Sequence, residues 1–188
     1  SEELYLELEK PVNFSHQKIE EIYQWLKGKP CGAKSLYHYL KLKGVQVRED
    51  EVSVLTLTTD ILNGLIKPEG NPSVIKNSLF SLSKSSEFLG KSLSAVKIDK
   101  EKISKDNLNK LLPFIAHLKG DHYVLITKIS QEEVLKVYFI DEDKEEFLPW
   151  QNFKEKFSGY GLVENLDNEI VEKISDQEAK AIKGARKT

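Results

Sequence analysis

Cys31 is the one cysteine in the chain, and it follows a Gly28-Lys29-Pro30 turn at the point where a helical apolar pattern begins. A thiol in the first turn of a helix meets free backbone N–H groups and the positive end of the helix dipole, which favour a thiolate. Lys29 and Lys34 add positive charge. These are the surroundings a sulfur nucleophile needs. The alternative for an unpaired cysteine is a small buried apolar side chain. A single cysteine also excludes an internal disulfide and a cysteine-rich zinc site.

A thiolate nucleophile wants a base. The histidines are His16, His38, His117 and His122. His122 opens an apolar, β-branched segment that runs to Ile129, and the next such segment, Val134 to Ile140, ends at Asp141. A hairpin symmetric about Gln131-Glu132 would set His122 opposite Asp141. A carboxylate there would orient the imidazole and stabilise its charged form. A second hairpin through Lys119-Gly120 would set His117 opposite His122, one strand further from Asp141, which makes His117 a structural residue. His16 and His38 fall on predicted helices without an acidic partner, and His38 lies off the apolar stripe, as a solvated residue would. Oxyanion stabilisation needs a hydrogen-bond donor beside the nucleophile. Gln24, seven residues before Cys31, is the candidate, against the reading of an ordinary surface glutamine.

Two kinds of element must position these groups. Apolar spacing predicts helices over 16–26, 31–43, 51–66 and 74–89, with Ser15 and Ser73 as caps and Gly44 as the residue that ends the second. Thr56, Thr58 and Thr59 weaken the third. Segments 93–98, 113–117, 122–129, 134–140 and 145–148 then read as strands, and a helix follows over 150–157. Helices first and an antiparallel sheet after them make an α+β arrangement. Residues 1–14 form an N-terminal extension, 15–165 the folded domain, and 166–188 a highly charged tail.

Composition agrees with a globular domain: of 188 residues, 39% are hydrophobic and 31% charged. With 28 basic and 30 acidic side chains the net charge is −2, so no basic excess points to nucleic acid or an anionic membrane. No apolar run approaches the ~18 residues that would span a bilayer. The sequence holds no methionine, so a segment upstream of Ser1 is expected to have been removed.

Cys31-Gly32-Ala33-Lys34-Ser35-Leu36 with Gly44-Val45 resembles the nucleophile helix of the bacteriocin-processing, double-glycine cysteine peptidases. These papain-like domains occur fused to peptide-exporting ABC transporters and also free-standing. Leu112 to His117 with His122-Tyr123-Val124-Leu125 resembles the family's histidine segment, and Phe139-Ile140-Asp141 its aspartate segment. Gly70-Asn71-Pro72-Ser73 and Phe153 through Val163 are similar to its middle and closing elements. The resemblance spans roughly residues 17–163.

It implies a thiol protease with Cys31 as nucleophile, His122 as base, Asp141 as orienter and Gln24 as the oxyanion glutamine. Pro30 stands where the family has aspartate, and Gln24 lies seven rather than six residues upstream. No metal or cofactor is implied. The partners implied are a leader-bearing peptide and, as a candidate, a peptide exporter, with no nucleic acid. The resemblance implies a free-standing bacterial protein, placed in the cell envelope or secreted after loss of an N-terminal segment, or else in the cytoplasm.

The tail from Ile174 to Ala185 is similar to the leaders such enzymes cut, which end in Gly-Gly or Gly-Ala. Ile174, Glu178 and Ile182, each four apart, would share one helix face, with Gly184-Ala185 at the scissile end. The tail would then be a substrate or an inhibitor of its own domain. The alternative function is an inactive peptidase-like module that binds leaders or export substrates.

Overall fold

The alternation of side chains along the strands decides where the two cores lie. In the computed structural model the described residues are 16–28, 31–66 and 76–184. The expected N-terminal extension, the caps Ser15 and Ser73, the residues Lys29, Pro30 and Ala185, and the segment 70–73 lie outside them.

The helices α1 (His16–Gly28), α2 (Cys31–Leu42) and α3 (Glu49–Leu62) come first, then a short strand β1 (Asn77–Ser78) and α4 (Leu79–Phe88). The sheet strands are β2 (Ser94–Ile98), β3 (Phe114–Leu118), β4 (His122–Gln131), β5 (Leu135–Asp141), β6 (Lys144–Pro149), β7 (Phe157–Val163) and β8 (Val171–Lys173). Two helices interrupt them, α5 (Lys105–Asn109) and α6 (Trp150–Lys156). The chain then forms α7 (Asp176–Ala181) and β9 (Lys183–Gly184).

The seven strands run antiparallel in the order β6-β5-β4-β3-β7-β2-β8, and β9 pairs with β1 in a separate two-stranded ladder. Successive residues of a strand point to opposite faces. Ile115, Tyr123, Leu125 and Leu162 therefore pack with Cys31, Leu36, Leu40, Leu79 and Leu82 under α2 and α4. Phe114, Ala116, Val124 and Ile126 pack on the other face with Leu108, Trp150 and Phe153. The α+β expectation is met, and α2 lies directly over β4.

Helix boundaries follow local chemistry. Gly44, at φ 78°, ends α2, and Val45 N–H donates back to Leu40 O at 2.9 Å, so an orphan carbonyl is satisfied. In α3 the Thr56 and Thr59 hydroxyls donate to Ser53 O and Leu55 O, which lets threonines sit in a helix. This helix stops at Leu62, short of the expected 66, where Gly64 takes a left-handed turn. The fourth helix starts five residues later than its apolar pattern suggests. Ser78 caps it by accepting from Ser81 N–H at 3.0 Å, while Asn77 and Ser78 are drawn into a strand. That strand is anchored from below. Buried Asp60 accepts bonds from Ser78 N–H, Ser78 Oγ (2.6 Å) and Ser81 Oγ (2.9 Å).

The charged tail does not stand off the domain. β8 extends the sheet edge beside β2, Ile170 is buried in the core behind it, and Ala179 of α7 is buried against the α2–α4 side. Its charges occupy the exposed positions, so composition hid an amphipathic segment. Among the described residues no helix is long and apolar enough to cross a membrane.

Candidate active site

Cys31 begins α2 and is 1% exposed. Gly32 behind it has a packing reason: a Cβ there would stand 3.0 Å from Asn77 Oδ1. The glycine lets β1 approach the helix end that carries the thiol.

His122 begins β4 and is 2% exposed. Its Nε2–H donates to Asp141 Oδ1 at 2.6 Å. Burial acts to strip the proton from this ring, but the bond to Asp141 and a side-chain bond to Cys31 outweigh it, raising the pKa to about 10. With Nε2 held by Asp141, Nδ1 is the nitrogen left for the thiol. The structure thus brings Cys31, His122 and Asp141 together.

The route to that contact differs from the expected register. The β4–β5 loop takes three residues, 132–134, between the pair Gln131↔Leu135, and the ladder shifts again between Ile126 and Lys128. Leu125 faces Ile140, so Asp141 continues opposite Val124. His122 and Asp141 are diagonal rather than direct neighbours, a separation of about 7 Å between backbones that side chains still bridge.

The β3–β4 turn also has three residues. Gly120 (φ 84°) and Asp121 (φ 59°) both take the left-handed conformation, so Leu118 pairs with His122 and His117 with Tyr123. His117 is therefore not opposite His122. Its Nε2–H donates to Lys183 O at 2.7 Å, and Nδ1 meets Ser158 Oγ at 2.8 Å. Burial lowers its pKa against the opposing pull of the Lys183 bond and the Asp121 charge. A neutral ring donates through Nε2 to Lys183 O and leaves Nδ1 as an acceptor for the Ser158 hydroxyl, whose one hydrogen is shared with His117 O at 2.9 Å.

Gln24 is not delivered to this cluster as an oxyanion donor. It is exposed on α1, and its amide nitrogen donates to Glu20 Oε1 at 3.0 Å, one turn back on its own helix. Spacing along a chain does not orient a helix, and here the i, i+4 partner claims the amide. His38 is also not simply solvated: its Nε2–H donates to Asp143 Oδ1 at 3.1 Å.

The chain's own C-terminal segment lies against these residues. Gly184 pairs with Asn77 and Lys183 with Ser78, and Leu79 N–H donates to Ile182 O at 2.8 Å. The Tyr123 hydroxyl, fully buried, donates toward Asn77 O (3.2 Å) or Ile182 O (3.3 Å). Asn77 in turn touches Gly32, so Gly184 is one strand away from the Cys31 end of α2. Ile174 and Ile182 pack on the helical-side core, and exposed Glu178 bonds the Tyr160 hydroxyl. The three residues do not form one helix face, as spacing suggested. α7 covers only six residues, with Ile174 and Ile182 outside it, and Ala179 is its buried residue.

Tyr123 makes the Gly184 position glycine-only. A Cβ on Gly184 would stand 2.5 Å from Tyr123 Cδ2 and 3.3 Å from Asp121 O. Gly184→Val is expected to unseat β9, seen as a rise of at least tenfold in amide hydrogen exchange over 176–184 while the core amides keep their protection. Unchanged exchange there would mean that the Tyr123 wall does not exclude side chains.

The model of the peptidase C39 family matches residues 74–168, half of the chain, a span that holds His122 and Asp141 and begins after Cys31. The chain belongs to the peptidase C39 family. Among solved structures it is similar to a double glycine motif protease from an AMS/PCAT transporter in complex with the leader peptide. That match has 20% identity and a TM-score of 0.53, and covers 81% of this chain and 89% of that one. A second is the N-terminal peptidase C39 like domain of the toxin secretion ATP-binding protein from Vibrio parahaemolyticus. There the identity is 20% and the TM-score 0.47, over 77% of this chain and 97% of that one. No curated protein matches it. At such identity the first of these likenesses carries the fold, and it agrees with the papain-like α+β expectation. This C39 chain thus shares its fold with that double glycine motif protease.

Proposed function

We propose that this C39 domain is a cysteine endopeptidase that cuts leader-like peptides after Gly-Gly or Gly-Ala, and that its own tail occupies the leader cleft in cis. The observation that carries this reading is the seating of Lys183-Gly184 on β1, with Gly184 against Tyr123, beside a linked Cys31, His122 and Asp141.

Cys31 Sγ attacks the scissile carbonyl carbon and forms the C–S bond of a tetrahedral oxyanion. The bond to the leaving nitrogen breaks as His122 hands that nitrogen a proton, which leaves a thioester. His122 then takes a proton from water as the water oxygen adds to the thioester carbon, and returns it to sulfur as the acid departs. Asp141 keeps the imidazole aligned and stabilises its charged form through both steps. The first backbone N–H groups of α2 have no partner within the helix and can serve as oxyanion donors.

In the tail, Ile174 and Ile182 fill the apolar side of the cleft and Glu178 contacts Tyr160. Gly184 passes the Tyr123 wall, and in sequence the bond to be cut would be the one that follows Gly184-Ala185. β-Strand addition of this kind takes affinity from main-chain hydrogen bonds and selectivity from the pockets beside them. Tethering favours it further, because a short linker holds the tail at an effective concentration near millimolar.

The test is incubation with a synthetic Gly-Gly leader peptide and mass spectrometry of the products. A chain ending at Ser175 keeps β8 and loses the docked segment. It is expected to cleave the leader about tenfold or more faster than the full chain, as is Ile182→Asp. Equal rates for all three, with no loss after Ala185 in the full chain, would remove the cis-leader reading. The displaced Gln24 favours a second reading, a module that binds leaders without cutting them. Binding without cleavage by the chain ending at Ser175 would select it.

A further inference from the structure

The β5–β6 hairpin that carries Asp141 lies at the edge of the seven-stranded sheet, with only β6 beyond it. Asp141 pairs with Lys144 across a two-residue turn, Glu142-Asp143, in which Glu142 takes a left-handed φ of 58°. An edge hairpin is poorly braced by the sheet alone. Yet the carboxylate at its end must stay on His122 within a few tenths of an ångström if the ring is to stay aligned with Cys31.

The turn is braced from α2. Lys34, one turn after Cys31 on that helix, ion-pairs with Asp143 and reaches Glu49 Oε1 at 3.3 Å at the start of α3. His38, the next turn along, bonds the other oxygen of Asp143 at 3.1 Å. Positions 31, 34 and 38 fall on one stripe of a 3.6-residue helix, so the thiol and both anchors share a face. The helix and the hairpin are therefore joined twice, through Cys31–His122–Asp141 and through Lys34–Asp143.

The placement of Lys34 goes against local preference. A cation in the first turn of a helix opposes the dipole, and at 8% exposure its ammonium loses hydration. Two carboxylates offset that cost. Asp143 is 65% exposed at its side chain, so the pair gains little stability from burial. What it does is fix geometry.

We propose that Lys34 is a positioning residue: by tying the helix that carries Cys31 to the turn that carries Asp141, it holds the Asp141 carboxylate on His122. Its catalytic consequence rests on the peptidase reading, whereas the positional one does not.

The test follows the His122 ring by nitrogen-15 NMR in the full chain, from about pH 5 to about pH 11. Groups facing the ring are Asp141 and Cys31, with His117 and Asp121 on the neighbouring strand and turn. Lys34→Met is expected to lower the ring's titration midpoint by about one unit or more, while Lys34→Arg keeps it. The sign is diagnostic. Removing a cation would by itself raise a neighbouring imidazole's midpoint, so a fall reports release of Asp141. An unchanged or raised midpoint in Lys34→Met overturns the proposal.

Asp143→Asn, at an exposed site, tests the same link without risk to the fold. It is expected to lower kcat on the leader peptide about tenfold with KM within about twofold. An unchanged kcat also overturns the proposal. If the wild-type chain cuts no leader, the ring titration still decides the clamp, and only the peptidase reading falls.

Discussion

Cys31→Ala abolishes leader cleavage, a loss expected on the order of 10⁴-fold or more, with the fold retained. Removing any one member of a nucleophile–base unit costs nearly as much as removing all of it, because no other group can form the covalent intermediate. The structural cost is small by comparison. The substitution deletes one buried sulfur from a well-packed site and should destabilise by about 1 kcal/mol. The pair of measurements is a single-turnover cleavage assay and a thermal melt. Substantial cleavage by a folded alanine variant would show that the thiol is only a packing residue.

The second large effect separates the two strand histidines. His122→Ala is expected to lower kcat by a comparable factor, since His122 links the thiol to Asp141. His117→Ala is expected to lower kcat by no more than about tenfold. Its ring donates to the carbonyl of Lys183, so its loss should weaken peptide seating and appear in KM and in the exchange of the docked tail. Both variants remove a ring donor from its acceptor, Asp141 in one and the Lys183 carbonyl in the other. Each must therefore be assayed well below its melting temperature. Equal losses of kcat from the two substitutions would mean that the base has been misassigned.

Cys31, His122 and Asp141 stand at the element ends where the sequence suggests them, although the register that was to pair the last two differs. A thiol at a helix start, a histidine opening one strand and an aspartate closing the next are features of short sequence range. Periodicity places them on their elements, and the roles expected of them come from the family resemblance. A local reading failed wherever the answer depended on how an element is oriented. Gln24 stands seven residues upstream, one more than the family spacing, and α1 turns it to solvent, where Glu20 takes its amide. His38 was expected in water and instead meets Asp143, a partner from the far end of the sheet.

Register shows the division most clearly. Alternating apolar residues identify β3, β4 and β5, but not loop length, and both hairpins close through three residues where two were expected. In the first hairpin the extra residue slides the strands by one; in the second the loop also begins one residue later, and with the shift between Ile126 and Lys128 the net slide is two. His117 moved from His122 to Tyr123, and Asp141 moved from opposite His122 to its diagonal. The His122–Asp141 contact survived because a diagonal on one face still lies within side-chain reach.

The sequence alone determined the first helices and the strands β2 to β6, though not α5, β7 or β8, together with the order of the chemical groups and the glycine near the C-terminus, since each depends on a few neighbouring residues. Only the tertiary structure decided three things. The charged tail folds back as α7 and β9, Tyr123 walls the Gly184 position, and Lys34 reaches Asp143 across more than a hundred residues of chain. These contacts join segments far apart in sequence, and their geometry is set by core packing, which no local pattern records.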